Sequence, residues 1–458
     1  MPTLPLLLSR PTGRPIAYRD GRSIPEAVFL RDATALAAQL PTDAQLLNLC
    51  EDRYHFAVAM AAGLISARTT LLAPTQAPEA LRRIHDLSAP LVCLTDPGAA
   101  TATLMDLRYR ILTVNCGGDL AAAPAAVPQI NVAQTAVIIF TSGSTGLPVP
   151  HAKSFGQMVE GSRVQLTQLP GAAAEAGYAL LATVPAQHMF GLEASVLLPM
   201  QSPHALCAER PFYPADIAAA LARLPRPRGL ISTPVHLRAL LDAGIDVPAL
   251  DLVLCATAPL PQTLAGQVEA RCKAPLIEIY GSTETGMIAR RRTALEHQWQ
   301  LFPRVRLRRE QGGWYAQGGH LPLAMPLADE LEPLDEEHFL LHGRSADLVN
   351  VAGKRSSLAY LSQQLLSIPG VQDGAFFLQE TARSSMTGVT RLAALVVAPG
   401  LTCEAILSIL RERVDAVFLP RPLWLVAQLP RNTTGKLAQG ALQRLAAQLS
   451  SQRTHERS

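Results

Sequence analysis

Short runs of β-branched and aliphatic residues alternate with stretches of helical character along most of this 458-residue chain. One of them, TAVIIF at 135–140, runs straight into the turn TSGSTG at 141–146. Parallel strands need crossovers of a dozen or more residues, usually helices, so this alternation restricts the chain to an α/β layer around a mostly parallel sheet. Between 45 and 95, HFAVAMAAGLISA reads as a buried helix and TTLLAP and PLVCLTD as strands. From 179 to 260, ALLATVP, GLISTP and LDLVLCAT continue the strands, with HLRALLDAG an intervening helix. The small, Pro-containing stretch GGDLAAAPAAVP at 117–128 reads as a linker.

A chain this long exceeds what one apolar core organises. The pattern changes near Gly343: FLLHG, a helix around 358–367, GAFFLQ, LAALVVAP, a helix over 403–413 and LWLVAQLP read as a smaller α+β unit. The division is therefore 1–343 and 344–458, with the polar tail SSQRTHERS (450–458) expected to fray. A net charge of +3, from 40 basic against 37 acidic side chains, supplies no global field for nucleic acid or an anionic membrane. No apolar run approaches the ~18 residues of a membrane span, and the N-terminal apolar run is too short for a signal peptide. Seven scattered cysteines without CxxC spacing point to a reducing compartment and to neither zinc nor disulfides. These features together predict a cytoplasmic, soluble protein.

Three polar segments carry the chemistry. In TSGSTG (Thr141, Ser142, Gly143, Ser144, Thr145, Gly146), glycines allow close backbone approach to a polyphosphate while N–H groups and hydroxyls donate to its oxygens. It is no Walker loop: Gly146 is followed by Leu147, and the Gly435-Lys436 pair has Pro430 where that motif needs glycine. YGSTETG (280–286) follows the strand LIEI, so its polar groups emerge at a sheet edge, where ligands bind in α/β folds. PRNTTGKL (430–437) puts Lys436 on a Gly-containing loop. Each segment alone also fits an ordinary turn or a solvated surface.

TSGSTG, YGSTETG, GRSADLVNVAGKR (343–355) and PRNTTGKL fall in the order of the four nucleotide-handling segments of adenylate-forming enzymes. Over roughly residues 45–445 the chain resembles the superfamily of acyl-CoA synthetases, aryl-acid ligases and peptide-synthetase adenylation domains. The resemblance implies a large N-terminal domain of α/β subdomains with a β-rich subdomain, and a small mobile C-terminal α+β lid. It implies MgATP-dependent activation of an aryl or acyl carboxylic acid to acyl-AMP, then transfer to a pantetheine thiol, that of an acyl carrier protein as the leading expectation and that of free coenzyme A as the alternative.

In matching positions Tyr280, with Gly281 and Ser282, packs by the adenine, Thr283 contacts the α-phosphate and Glu284 binds Mg²⁺. Asp329, fifteen residues before Arg344, binds the ribose with that arginine, and Lys436 neutralises charge during adenylation. His188, Phe190 and Gly191 match the acyl-pocket entrance, Ala256 and Thr257 the segment flanking adenine and acyl group, and Gly353 the thiol tunnel. His188 as a structural histidine and Gly353 as a turn glycine remain alternatives. No aspartate lies between Pro185 and Met200 to pair with an α-ammonium, which argues against an amino-acid substrate.

Several departures stand out. Relatives follow the loop with Pro-Lys-Gly, whereas this chain reads Pro148, Val149, Pro150, His151, Ala152, Lys153; Lys153 then either reaches the phosphates or lies on the surface. The hinge position, normally aspartate or lysine, is Ala346. Only 45 residues separate Glu284 from Asp329, so the β-rich subdomain is reduced. The compact length and PxPHxK variant resemble ligases of aryl-polyene and xanthomonadin-type pigment pathways, which load carrier proteins. The departures also leave room for a catalytically inactive nucleotide-binding regulatory protein.

Overall fold

The computed structural model describes the chain apart from residues 9, 11–12, 89, 100, 102–103, 106–108, 117–125, 143–147, 171–176, 311, 345–347, 352–353, 380–390, 432–436, 438 and 456–458; at some positions, Ser142 and Arg344 among them, it describes backbone alone. The expected α/β alternation builds two large sheets. The first has six strands in the order Pro148–Ser154, Thr135–Ser142, Thr70–Leu72, Gln45–Asn48, Leu91–Thr95 and Arg110–Thr113. All its pairings are parallel except that of Pro148–Ser154 with Thr135–Ser142. Its helix Arg53–Ile65 is buried from Arg53 to Leu64, which explains why HFAVAMAAGL shows no polar face.

The second sheet has eleven strands. Six parallel ones (Leu276–Ser282, Leu252–Cys255, Arg228–Ser232, Ala179–Ala182, Ala205–Cys207 and Ala17–Arg19) form its centre. Arg22–Ile24 closes one edge antiparallel. On the other side Gly286–Arg291, Trp299–Leu301, His338–Arg344 and Asp329–Pro333 extend it antiparallel. The parallel strands are apolar on both faces because helices cover both. Leu46, Val137 and Ile139 of the first sheet and Ala57 of its helix share one core with Met189, Leu192 and Val196, so the two sheets close over the helical segment 189–200. Full burial of one such side chain is worth about 1.5–3 kcal/mol.

A three-stranded antiparallel sheet, Val305–Glu310, Gly313–Gly318 and Leu321–Leu327, fills the short interval between Glu284 and Asp329. Beyond residue 348, the strands Asp373–Gln379, Arg391–Val397 and Leu423–Leu425 form a separate sheet. Alternation along GAFFLQ sends Phe376 into a core with Leu361, Leu365, Ile406 and Leu410, and Phe377 into another with Trp424, Leu442 and Ala446. Helices thus cover both faces of this small sheet.

Two readings of the sequence change. FLLHG was expected to open the smaller unit, but it belongs to His338–Arg344 in the large sheet, paired with Trp299–Leu301 and Asp329–Pro333, because Phe339 packs on Trp299 and Tyr280. The tail expected to fray is helical as far as His455, in Gln439–His455, where Leu442 and Ala446 anchor the helix on the sheet. The linker 117–128 falls largely outside the described residues; beyond it Gln129–Asn131 pairs with Thr3–Pro5. Among the described residues no helix is long and apolar enough to cross a membrane.

Candidate active site

The site is built from two β-hairpins that face each other. In the first, Thr135–Ser142 returns as Pro148–Ser154 with Val149 opposite Thr141, His151 opposite Ile139 and Lys153 opposite Val137. Gly143, Ser144, Thr145 and Gly146 at its tip lie outside the described residues, and Ser142 is described by its backbone alone. Ser154 ends the hairpin as the cap of helix Phe155–Thr167, in a reciprocal capping box with Gln157. Alternation along a strand puts His151 and Lys153 on one face, and both reach the second hairpin. His151 Nε2 lies 3.1 Å from Thr141 Oγ1 and 3.6 Å from Glu284 Oε1. The Lys153 ammonium donates to the Glu284 carbonyl oxygen.

The second hairpin joins Leu276–Ser282 to Gly286–Arg291 through YGSTETG. Its glycines are steric necessities. A Cβ on Gly281 would run into the Gly286 carbonyl oxygen, and Gly286 has φ +69° with the Glu193 carboxylate where a side chain would stand. Ser282 and Thr285 knit the turn: Ser282 N–H donates to Thr285 Oγ1 at 3.0 Å and Thr285 N–H to Ser282 Oγ at 3.2 Å. Thr283 and Glu284 stand half-buried at its crest.

Burial pushes the Glu284 carboxyl up, but the Ser282 hydroxyl, a backbone N–H and the charges of His151 and Lys153 outweigh it and hold Glu284 below the usual range. The group is therefore an ionised oxygen donor. Burial pulls the His151 imidazole down, Glu284 opposes this and Lys153 adds to it, which favours the neutral ring. Burial likewise lowers the Lys153 ammonium against the pull of Glu193 and Glu284.

At the other end of the turn the Tyr280 hydroxyl donates to Asp329 Oδ2 at 2.7 Å. Tyr280 packs against Trp299 and Phe339 with ring centroids 5.5 and 5.7 Å away. Asp329 and Arg344 are direct partners across the Asp329–Pro333 and His338–Arg344 pairing, so their fifteen-residue spacing is hairpin register. The acyl-pocket candidates lie close by. His188 caps the helical turn Met189–Leu192, its Nδ1 accepting from Phe190 N–H at 3.3 Å. Gly191 leaves no room for a Cβ beneath the Pro185 carbonyl. Phe190 and Ala256 are buried in one cluster with Met287, against which Tyr280 packs. Thr257, just past the strand Leu252–Cys255, holds φ +86°, a conformation a β-branched residue rarely adopts and one that concentrates at ligand sites.

The structure thus brings Thr141, Lys153, Tyr280, Gly281, Ser282, Thr283, Glu284 and Asp329 around one turn. Lys436, Ala346 and Gly353 lie outside the described residues, and Arg344 is described by its backbone alone. Sequence reasoning missed His151 and Glu193. His151 carried a signal in its alternation with Lys153 on a strand beside the loop; Glu193 carried none beyond being a carboxylate in an apolar helix. Among the described residues no three His, Cys, Asp or Glu side chains could together hold a metal ion. Glu284, ionised and half-buried at the turn, is the kind of carboxylate oxygen donor that Mg²⁺ takes beside substrate phosphates.

A family profile for AMP-binding enzymes matches residues 32–307. The 4-coumarate–CoA ligase of Rhodobacter capsulatus is 31% identical over 284 residues, covering 62% of this chain and 69% of that protein. That of Halorhodospira halophila is 29% identical over 348 residues, covering 72% and 81%. An anthranilate CoA ligase solved with anthranoyl-AMP superposes with a TM-score of 0.81 at 15% identity, over 98% of this chain and 99% of that one. The chain belongs to the AMP-binding enzyme family and is by class an AMP-forming acid–thiol ligase.

Proposed function

We propose that the enzyme uses ATP to activate an aromatic carboxylic acid and passes the acyl group to the thiol of coenzyme A. The observation that carries this reading is the position of YGSTETG. One seven-residue turn bears the Tyr280–Asp329 pair at one end and Glu284, facing Thr141 and His151, at the other, and that span suits a nucleotide.

In this mechanism Tyr280 and Asp329 orient adenine and ribose, with Arg344 opposite Asp329. The 141–146 loop binds the phosphates. Thr283 holds the α-phosphate while the substrate carboxylate attacks its phosphorus and pyrophosphate departs. Glu284 would hold Mg²⁺, which would supply charge neutralisation to the phosphates. Lys436, arriving from the 344–458 lid, neutralises the charge that accumulates on the bridging oxygens. His188 gates the acyl pocket formed by Phe190, Gly191, Ala256 and Thr257. The lid then rotates about Ala346, Gly353 lines the thiol path, and the sulfur attacks the acyl carbon as AMP leaves. ATP and a reduced thiol pool are both supplied in the cytoplasm, where we place the enzyme.

The names of the relatives, 4-coumarate–CoA ligases and an anthranilate CoA ligase, support an aryl acid and free coenzyme A. The phosphopantetheine arm of an acyl carrier protein is the second acceptor, favoured by the Val149, His151 and Lys153 variant that resembles pigment-pathway ligases. AMP release should be measured with hydroxybenzoates, cinnamates and fatty acids, each with coenzyme A or a loaded carrier protein. Turnover with aryl acids and coenzyme A supports the proposal; turnover with the carrier alone transfers it to the second acceptor, and turnover with fatty acids alone removes the aryl pocket.

A further inference from the structure

Lys153 was expected on phosphate or in solvent, yet its ammonium points inward. It donates to the Glu284 carbonyl oxygen and faces Glu193 across a cavity of ≈ 20 Å³ that both line, with Gln157, Thr285 and His320. Glu193 is only 8% exposed and opens the π-helical turn Glu193–Leu197, a departure from α-helix frequent at functional sites. Its Oε2 accepts the Met287 N–H at 3.1 Å, just past the same hairpin turn. His320 Nε2 lies 3.0 Å from the Thr285 carbonyl oxygen, and its buried Nδ1 has no protein partner. The cavity is large enough for about one water, which that nitrogen could bind.

Three elements distant in sequence meet here: strand Pro148–Ser154, the helical segment 189–200 and the turn 282–286. Apolar side chains would fill the same space without the cost of burying charge. What they would not provide is a directional, charge-assisted bond on the backbone of Glu284. We infer that Lys153 and Glu193 are positioning residues, a buried polar latch that fixes the turn bearing Thr283 and Glu284 against the acyl-pocket helix. The inference rests on the ligase reading and adds to it a link between the acid-binding and phosphate-binding halves of the site. It also explains why Glu193, though a carboxylate in that helix, is not offered to a substrate ammonium.

The test pairs Glu193→Gln with the double variant Lys153→Met/Glu193→Met, in which both polar groups give way to apolar side chains. Thermal unfolding, equilibrium ATP binding and acid-dependent pyrophosphate exchange are measured on each. Glu193→Gln keeps shape and an acceptor for Met287 N–H; it is expected to melt within a few degrees of the unaltered protein with exchange kcat about tenfold down. The double variant should bind ATP within about threefold of normal yet lose roughly 10- to 100-fold in kcat, the cost of a displacement of about 1 Å near the reacting atoms. Normal kcat in folded Glu193→Gln, or in a folded double variant, would overturn the latch. Absence of exchange in the unaltered protein would instead overturn the ligase reading.

Discussion

The two ends of the YGSTETG turn are built from different materials. At the end we propose for the nucleoside, Tyr280 sits on a stacked pair, Trp299 and Phe339, and meets Asp329 through one hydrogen bond; Asp329 is fixed by ladder register. At the end we propose for the phosphates, His151, Lys153, Glu284 and Glu193 converge from strands and a helix far apart in sequence, held by single side-chain contacts. A purine and a ribose need a shaped, rigid surface, which aromatic packing and sheet pairing provide. A polyphosphate that changes charge during reaction needs oriented charges, and these have to be brought in by tertiary contact. The comparison predicts that damage at the phosphate end appears in kcat and metal dependence, and damage at the nucleoside end in KM for ATP.

The largest effect should come from Lys436→Ala, with adenylation slowed by about 3 to 4 kcal/mol of lost transition-state stabilisation, several hundredfold. Single-turnover formation of acyl-AMP measures this; thioester formation from supplied acyl-AMP should be unchanged, and equal loss in both half-reactions would remove the assigned role. Next, Glu284→Gln should raise the Mg²⁺ concentration for half-maximal rate by about 100-fold. An unaltered metal titration would take Glu284 out of the metal's surroundings. At the nucleoside end, Asp329→Ala should raise KM for ATP by about 10- to 30-fold, as expected for loss of a charged hydrogen-bond acceptor, with kcat nearly kept. The smallest change is Tyr280→Phe, which deletes one hydroxyl and keeps the ring: about 1 kcal/mol, roughly fivefold in KM. If Tyr280→Phe altered the metal titration, or Glu284→Gln altered only KM for ATP, the division between the two ends would collapse.

How legible each end was in the sequence follows from the same difference. Alternation of short strands with helices predicted the parallel centre of the second sheet, since strands buried on both faces need crossover helices. The Asp329 to Arg344 interval was legible only through the resemblance; in the fold it is hairpin register, which converts spacing into adjacency. FLLHG was assigned to the wrong unit because a short apolar run shows which residues pair but not with which partner; Phe339, stacked on Trp299, decides that. The tail read as frayed from its polarity, although two apolar anchors earlier in the helix, Leu442 and Ala446, suffice to order it. At the phosphate end, Lys153 could be seen as a cation near the loop, but its bond to a carbonyl 131 residues later had no local signature. Glu193 was invisible for the same reason. A search for an aspartate between Pro185 and Met200 passed over a glutamate whose role depends on Lys153 and Met287.

Acid-dependent exchange of labelled pyrophosphate into ATP tests most directly whether these hairpins form one adenylating centre. It needs ATP, Mg²⁺ and the carboxylic acid at once and is blind to the thiol acceptor. The account predicts exchange that appears with hydroxybenzoates or cinnamates, vanishes without the acid and is lost in Lys436→Ala. A folded, ATP-binding protein that gives no exchange across a broad panel of acids would contradict it and leave a nucleotide-binding protein without catalysis.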